Sequence, residues 1–206
     1  MKPRTLQIHL QKELSRLYDA HEAAAIATRY VTDRFGLSTA QLLLNDDVLL
    51  SATEEEQTQR DVEQLLAQVP VQQVVGFEWF CGHRFRVTAD TLIPRPETEE
   101  LVLKAQSFLE QCQSGKVLEI GVGTGCIILS LERLVGRHYY MGCDISEEAL
   151  IVAKKNRYKF SLQTELIYSD VYSNVPHEKF ECIISNPPYI AFSEEALMDE
   201  SVRRYE

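Results

Sequence analysis

The sequence lacks any Cys-x-x-Cys pair. Its five cysteines are scattered at positions 81, 112, 126, 143 and 182, with no cluster of histidines beside them. Structural zinc sites and disulfide frameworks both depend on closely spaced or recurrent cysteines. We therefore predict no disulfide framework and no metal site, and we interpret most of these thiols as small apolar side chains of the core.

Long apolar runs are also missing. No stretch approaches the roughly 20 apolar residues that a membrane-spanning helix needs. The first residues, Met1-Lys2-Pro3-Arg4, lead into an amphipathic stretch, whereas a secretory signal would continue into an apolar core. These observations predict a cytoplasmic protein with no membrane partner.

The sequence has fewer basic than acidic residues. Lysine and arginine total 21 against 31 acidic residues, so the formal net charge is −10. Non-specific binding to nucleic acid depends on basic contacts to phosphates, which makes direct nucleic-acid binding an unfavoured prediction. A local basic patch remains compatible with this balance, which also suits a basic protein partner or a cationic cofactor.

Residues 1–75 have the pattern of a small helical domain. Leu6, Leu10, Leu14 and Leu17 recur at the spacing of one helix face, and Gly36 is a typical helix terminator. Thr53, followed three residues later by Glu56, predicts a capping box at the start of a later helix. We predict that this domain recognises the substrate.

A change of pattern after Gly76 predicts a second part of the chain. Residues 76–91 contain two short aromatic-rich runs with Gly82-His83 between them, which predicts a β-hairpin linker. From 92 to 206, predicted strands at 116–120, 138–143, 163–168 and 180–185 alternate with predicted helices at 125–135 and 146–159. This alternation predicts an α/β fold with a doubly wound, mostly parallel sheet.

A glycine-rich turn follows the first of these strands. Gly121, Val122, Gly123, Thr124 and Gly125 connect it to a helix, and glycines there let the backbone approach a ligand closely. Dinucleotide enzymes use a related Gly-x-Gly-x-x-Gly pattern, but the sixth position here is Cys126. The spacing, with Glu119 near the strand end, resembles the first motif of S-adenosylmethionine-dependent methyltransferases. Glu119 could supply negative charge near that cationic cofactor.

The next two strands also end in acids. Asp144 follows the second strand, where a carboxylate can accept both hydroxyls of a ribose, a feature that fits nicotinamide and methyltransferase cofactors alike. Asp170 follows the third strand and could accept from an adenine amino group, with Val171 against the ring. A purely turn-forming role for Asp170 is the alternative interpretation.

The fourth strand ends in Asn186-Pro187-Pro188-Tyr189. Proline fixes φ and donates no backbone hydrogen bond, so the Asn186 side-chain oxygen and the Pro187 carbonyl can act as neighbouring acceptors for an NH2 group. Tyr189 adds a π face for a planar substrate. This arrangement resembles the motif of enzymes that methylate planar nitrogens. We therefore predict catalytic roles for Asn186, Pro187 and Tyr189, and substrate contacts along 186–189.

Taken together, the motifs resemble one family over almost the whole chain. Besides the glycine turn, Asp144 and the Asn-Pro-Pro-Tyr run, residues 92–99 read Leu-Ile-Pro-Arg-Pro-Glu-Thr-Glu. The chain is similar to the glutamine methyltransferases that modify class 1 peptide release factors. The resemblance implies S-adenosylmethionine as cofactor, held by Gly121, Gly123, Gly125, Asp144, Asp170, Val171 and Asn186. It implies as substrate the glutamine of a release factor's Gly-Gly-Gln loop.

Two departures from the family pattern lead to further expectations. Position 171 is Val where many relatives carry an aromatic residue, so weaker stacking on adenine is expected. The family's sheet is larger than the four strands predicted here, which leads us to expect a C-terminally truncated member.

Four alternatives remain open at this point. They are a methyltransferase acting on a nucleobase amino group, one acting on a ribosomal protein glutamine, a nicotinamide oxidoreductase, and an inactive fragment.

Overall fold

A computed structural model of the chain describes residues 2–44 and 49–187. The backbone forms two compact units, one running up to Val75 and the other starting at Gly76. Within the described ranges, no helix combines the length and the apolar character needed to cross a bilayer.

The first unit is entirely helical in its described part. Its helices are α1 (Pro3–Leu14), α2 (Ala20–Phe35), α3 (Thr39–Leu44), α4 (Ala52–Leu66) and α5 (Val71–Val75). Leu6, Leu10 and Leu14 are fully buried along one face of α1, as their spacing predicts. Leu17 is 45% exposed because α1 ends at Leu14, so its predicted place on that face is wrong.

Helix ends in this unit follow capping rules, with one shift from the predicted positions. Helix α2 ends at Gly36, whose φ of +65° is the left-handed conformation that glycine adopts without strain. The capping box of α4 is formed by Ser51 and Glu54, whereas the sequence pattern predicted Thr53 and Glu56. Because α4 begins at Ala52, Thr53 is already helical and cannot cap.

A buried polar network connects three helices of the first unit. The Asp61 carboxylate of α4 is buried, accepts the Tyr30 hydroxyl at 2.9 Å and pairs with Arg34 at 2.6 Å. Arg34 also donates to the Val74 carbonyl at 2.8 Å. Burial, reinforced by the Asp61 charge, raises the pKa of Tyr30 to about 12, so its hydroxyl stays protonated as a donor.

The second unit begins with a β-hairpin. Strands β1 (Phe77–Phe80) and β2 (His83–Arg86) pair antiparallel. Their two-residue turn is Cys81-Gly82, one position earlier than the predicted Gly82-His83. Both turn residues have positive φ, +47° and +74°, as a type I′ turn requires.

The remaining elements form an α/β sheet with its helices. They are α6 (Pro96–Leu109), β3 (Lys116–Ile120), α7 (Cys126–Leu134), β4 (Tyr139–Asp144), α8 (Glu147–Lys159), β5 (Glu165–Tyr168) and β6 (Cys182–Ser185). All described pairings among β3–β6 are parallel, in the order β5-β4-β3-β6. The predicted doubly wound, mostly parallel sheet is confirmed.

Apolar side chains cover both faces of this sheet. One core contains Val117, Tyr140 and Ile184 together with side chains of α6, α7 and α8. A second, smaller core packs Leu118 and Met141 of the opposite face against the segment that precedes β6. The strands run outward from β3 to β5, and the chain then returns to place β6 on the other side of β3. The topological switch point therefore lies between β3 and β6, where ligands bind in open α/β sheets.

Candidate active site

The four predicted site segments meet along one edge of the sheet. In the parallel register, Ile120 pairs with Cys143 on one side and with Ser185 on the other, while Asp144 pairs with Tyr168. The residues that follow these strand ends therefore lie in a row: Ser169-Asp170, Asp144, the 121–125 turn and Asn186. The structure brings together segments that are far apart in sequence.

The three glycines of the turn have different surroundings. All have positive φ, between +50° and +80°. A Cβ atom on Gly121 or Gly123 would meet nothing within 4 Å, so these two positions border open space. A Cβ on Gly125 would lie 2.8 Å from the Leu129 side chain. Gly121 and Gly123 thus leave room for a ligand, whereas Gly125 permits close packing onto α7.

Four of the five backbone amides of the turn donate to acceptors within the protein. Gly121 N and Val122 N donate to the Cys143 carbonyl at 2.9 and 3.0 Å, and Gly125 N donates to Val122 O at 2.7 Å. Gly123 N donates to Asp144 Oδ2 at 2.8 Å. A phosphate-binding loop needs such amides free for the ligand. The turn therefore favours a cofactor without phosphate over a dinucleotide.

The side chain of Glu119, in β3, reaches the first turn of α7, the end of the helix at which a dinucleotide enzyme would hold its pyrophosphate. Its side chain is 1% exposed, and its Oε2 accepts a hydrogen bond from Ile128 N at 2.9 Å. Burial raises the pKa of the Glu119 carboxyl well above its usual range, although the bond from Ile128 acts in the opposite direction. The raised pKa favours the neutral carboxyl, so the role of Glu119 as a negative charge near a cationic cofactor stays a prediction.

Asp144 connects the turn to the end of β4. Besides accepting from Gly123 N, it accepts from Ser146 N at 3.0 Å through Oδ1. Each carboxylate oxygen thus has one backbone donor, and an ionised carboxylate offers about four acceptor positions. Two positions remain for hydroxyl donors, which fits the predicted ribose contact.

The end of β5 places Val171 in an uncommon conformation. Its φ is +48°, a region in which a β-branched residue is a strained outlier. The Val171 carbonyl accepts from Ser169 Oγ at 3.0 Å and from the Cys143 thiol at 3.5 Å, which fixes this conformation. The side chain is 48% exposed, so an apolar surface borders the site where an adenine ring was predicted. Asp170 is exposed beside it.

Asn186 has a partner that the sequence did not indicate. Its Nδ2 donates to Thr98 Oγ1 at 3.4 Å, across 88 residues of sequence. With Nδ2 engaged, the Oδ1 atom is the part of the amide available to accept from a substrate. Thr98 belongs to the 92–99 segment, so its place in that motif was the available signal for a role at the site.

The remaining residues of the Asn-Pro-Pro-Tyr run are only partly described. Ser185 Oγ donates to the Ile120 carbonyl at 2.9 Å and fastens the end of β6 to β3. Pro187 is exposed. Pro188 and Tyr189 lie outside the described residues, so their predicted substrate contacts stay predictions.

A buried asparagine anchors the glycine turn from below. Asn156 of α8 is 0% exposed and donates through Nδ2 to the Thr124 carbonyl at 2.9 Å. The same amide exchanges two hydrogen bonds with the backbone of Arg86, at 2.7 and 3.1 Å. Sequence reasoning missed this residue, because a single Asn inside an amphipathic helix gives no sign of its distant partners.

Other catalytic chemistries find little support among the described residues. Within residues 2–44 and 49–187, no group of three or more His, Cys, Asp or Glu side chains is arranged to hold a metal ion. Cys126 adjoins the glycine turn, but burial raises the pKa of its thiol to about 12. The thiol stays protonated at neutral pH and is a poor nucleophile.

Two family models match successive parts of the chain. Residues 8–76 match the family model described as "PrmC N-terminal domain". Residues 100–202 match the "Methyltransferase small domain".

Similar proteins match most of the chain. A release factor glutamine methyltransferase of Bacteroides thetaiotaomicron is 32% identical over 96% of this chain and 71% of its own length. Its counterpart in Enterococcus faecalis is 39% identical over 93% of this chain and 69% of its own. Among solved structures, a Thermus thermophilus 16S rRNA N2 G1207 methyltransferase has a TM-score of 0.45 at 20% identity, covering 56% of this chain and 33% of its own.

Proposed function

We propose that this chain, which belongs to the release factor glutamine methyltransferase family, transfers a methyl group from S-adenosylmethionine to the side-chain amide nitrogen of a release factor glutamine. The observation that carries the proposal is the placement of Asn186 beside the glycine turn. Ser185 and Ile120 are register partners, so the amide acceptor and the cofactor turn leave adjacent strand ends. A substrate amide and a methyl donor could therefore meet at the switch point.

The residues that would hold the cofactor fit its chemistry. S-adenosylmethionine carries a sulfonium and an ammonium group but no phosphate, which agrees with a turn in which four of the five amides are engaged internally. Gly121 and Gly123 leave space for it, and the free acceptor positions of Asp144 suit its ribose hydroxyls. Val171 offers an apolar surface for adenine. When bound, the cofactor supplies an electrophilic methyl group.

The substrate nitrogen needs to be oriented, because the lone pair of an amide is delocalised into its carbonyl. Asn186 Oδ1 and the Pro187 carbonyl accept hydrogen bonds from the two N–H groups of the substrate amide. These bonds hold the nitrogen in a single orientation. Thr98 holds the Asn186 side chain in place through Nδ2. Orientation and exclusion of water then contribute most of the rate. Tyr189 would cover the flat face of the amide and favour a nearby cation.

The first unit supplies the protein–protein contact in this proposal. Its helices have a separate core and match a family model of their own. The partner is a class 1 release factor, and a cytoplasmic location belongs to the same proposal because that is where a release factor acts.

The test is methyl incorporation from tritium-labelled S-adenosylmethionine into purified class 1 release factor. Label should enter the release factor, and should be lost when the Gly-Gly-Gln glutamine is replaced by alanine. Asn186→Ala should abolish incorporation while calorimetry still detects cofactor binding. Normal turnover by Asn186→Ala would refute the assigned role of the amide.

Parallel reactions separate the other functions. Label entering a ribosomal protein or DNA in preference to the release factor would assign the chemistry to another acceptor. Saturable cofactor binding without incorporation into any acceptor would make this chain an inactive fragment.

A further inference from the structure

Six basic side chains surround one concavity of the second unit. Two come from β2 and four from the last six residues of α8: Arg84, Arg86, Lys154, Lys155, Arg157 and Lys159. The cavity has a volume of about 800 Å³. We call this the cationic surface. It gathers six of the 21 lysines and arginines of a chain whose net charge is −10.

The charges of the cationic surface are not neutralised by neighbours. Within the part of the chain that the structure describes, none of the six forms an ion pair with a carboxylate. Arg157 and Lys159 donate only to backbone carbonyls, of Thr164 and Arg84. Cations near a helix C-terminus complement the helix dipole, which accounts for the residues of α8. It does not account for the two arginines of β2 that line the same cavity.

Aromatic rings accompany these charges. Tyr158, between two of the cations in sequence, is 86% exposed. The Arg84 guanidinium lies 4.6 Å from the ring centre of Phe77 and 4.8 Å from that of Trp79, which is itself exposed. Grooves that combine cations with exposed aromatic rings bind single-stranded nucleic acids, because phosphates meet the cations and bases stack on the rings. The carboxylates of an acidic protein would pair with the cations but would provide no planar base to stack on the Tyr158 ring.

We propose that the cationic surface binds single-stranded nucleic acid. Phosphates contact Lys154, Lys155 and the two β2 arginines, and one base stacks on Tyr158. The site is distinct from the methyl-transfer site in its residues, because none of the six cations, nor Tyr158, is among the residues proposed to hold the cofactor or the substrate nitrogen. The proposal therefore stands independently of the proposed function. The overall negative charge of the chain would confine binding to this surface.

The test uses fluorescence anisotropy with the full chain. The probes are fluorescein-labelled 12-nucleotide oligouridylate and oligothymidylate, each titrated at several NaCl concentrations. Binding should be saturable and should weaken with salt for one or both probes, and their relative affinities assign RNA or DNA as the source. Lys154→Gln/Lys155→Gln should weaken binding about tenfold and lower the salt slope by roughly 1.4, at ~0.7 per phosphate contact.

Two further variants distinguish the parts of the surface. Tyr158→Ala should weaken binding roughly tenfold with an unchanged salt slope, because stacking releases no counterions. Lys104→Gln/Lys179→Gln removes the same charge from exposed positions outside the cationic surface and should bind like the unmodified chain. All four replaced lysines are exposed, and circular dichroism would verify the fold of each variant.

Three outcomes would overturn the proposal. One is the absence of saturable binding at low salt, and another is an equal loss of affinity in the two lysine pairs. The third concerns competition with the labelled probe. If poly-L-glutamate displaces the probe as effectively as unlabelled oligonucleotide does, at equal concentrations of glutamate residues and nucleotides, the surface would be assigned to an acidic protein.

Discussion

The Asn186 amide can accept a hydrogen bond from a substrate N–H group only if its oxygen atom faces the substrate. The amide has a donor end and an acceptor end of nearly equal size, and only its surroundings select between them. Thr98 makes that selection by accepting from Nδ2. The threonine is thus a positioning residue, which acts on the substrate through Asn186.

Replacing Thr98 by valine removes the hydroxyl and keeps the shape. We expect kcat to fall by roughly tenfold to a hundredfold, because small misplacements of an orienting group have effects of this size. The affinity for S-adenosylmethionine should not change. Single-turnover methylation and calorimetry measure the two quantities. Thr98→Ser, which keeps the hydroxyl, should recover most of the rate, and a serine variant as slow as the valine variant would contradict the assignment.

Glu119 gives the site a pH dependence of stability. Its pKa in the folded chain is raised above the value of 4.5 expected when unfolded, so the folded state binds the proton more tightly. The stabilisation is fully present below about pH 4.5 and is lost as the pH rises through the folded-state pKa. Stability therefore decreases as the pH rises from about 4.5 towards the folded-state pKa, because the unfolded chain releases this proton more readily than the folded chain.

Glu119→Gln keeps an acceptor for Ile128 N and removes the titration. We expect its melting temperature to match that of the parent near pH 4 and to exceed it increasingly towards pH 8. Thermal unfolding across this range measures the difference. A difference in melting temperature that stays constant with pH would show that folding does not change the pKa of Glu119. Weaker cofactor binding by the same variant would support the predicted electrostatic role.

At the scale of whole elements, the cofactor turn depends on the hairpin through Asn156. This one amide joins α8, the end of β2 and the glycine turn. The three segments keep a fixed relation because a buried amide with unsatisfied groups is costly. The shape of the cofactor site is therefore set partly by a hairpin that the sequence had indicated only as a linker.

Asn156→Ala should lower both stability and cofactor affinity. The buried Thr124 carbonyl would lose its partner at a cost of about 1–3 kcal/mol, and the partly buried backbone of Arg86 would lose two hydrogen bonds. We expect the dissociation constant for S-adenosylmethionine to rise about tenfold as the turn loosens. Tyr140→Phe is the matched control, because it removes a buried hydroxyl that bonds the far end of α7. It should cost stability without changing cofactor affinity, and an equal affinity loss in both would argue against a specific anchor.

The sequence was informative about elements wherever local patterns decide the structure. Alternating strands and helices predicted the parallel sheet, and parallel order alone placed Asp144 and Asn186 at one edge. The capping box of α4 was misplaced because two overlapping patterns, at 51–54 and 53–56, satisfy the same rule. Contacts across long sequence separations, such as Thr98 with Asn186, were beyond local reasoning. The positive φ of Val171 was equally hidden, because valine is among the last residues expected there.

At the scale of the whole molecule, the proposed function assigns recognition and chemistry to different units. Each unit buries its own apolar core, one around Leu10 and Tyr30 and the other around Ile128 and Leu129. The residues proposed to hold cofactor and substrate nitrogen all belong to the second unit. In the proposed function, the first unit has the task of binding the release factor.

A chain starting at Gly76 should therefore keep cofactor binding and lose methylation of intact release factor. Circular dichroism would establish that the fragment is folded, calorimetry would give its cofactor affinity, and tritium incorporation its activity. This fragment should still methylate a short Gly-Gly-Gln peptide slowly when the peptide is supplied at high concentration. Full activity on intact release factor would show that the helical unit is dispensable for recognition.

The order of the strands also has a consequence for synthesis. Ser185 of β6 donates to the Ile120 carbonyl of β3 across 65 residues of sequence. Because β6 is the last described strand in chain order, it leaves the ribosome after its partner β3. The glycine turn, Asp144 and Asp170 all precede it in the chain. A cofactor molecule bound to these earlier segments would stabilise the nascent sheet by mass action while its β3 edge still waits for a partner. The methyl donor would then also serve as a folding ligand.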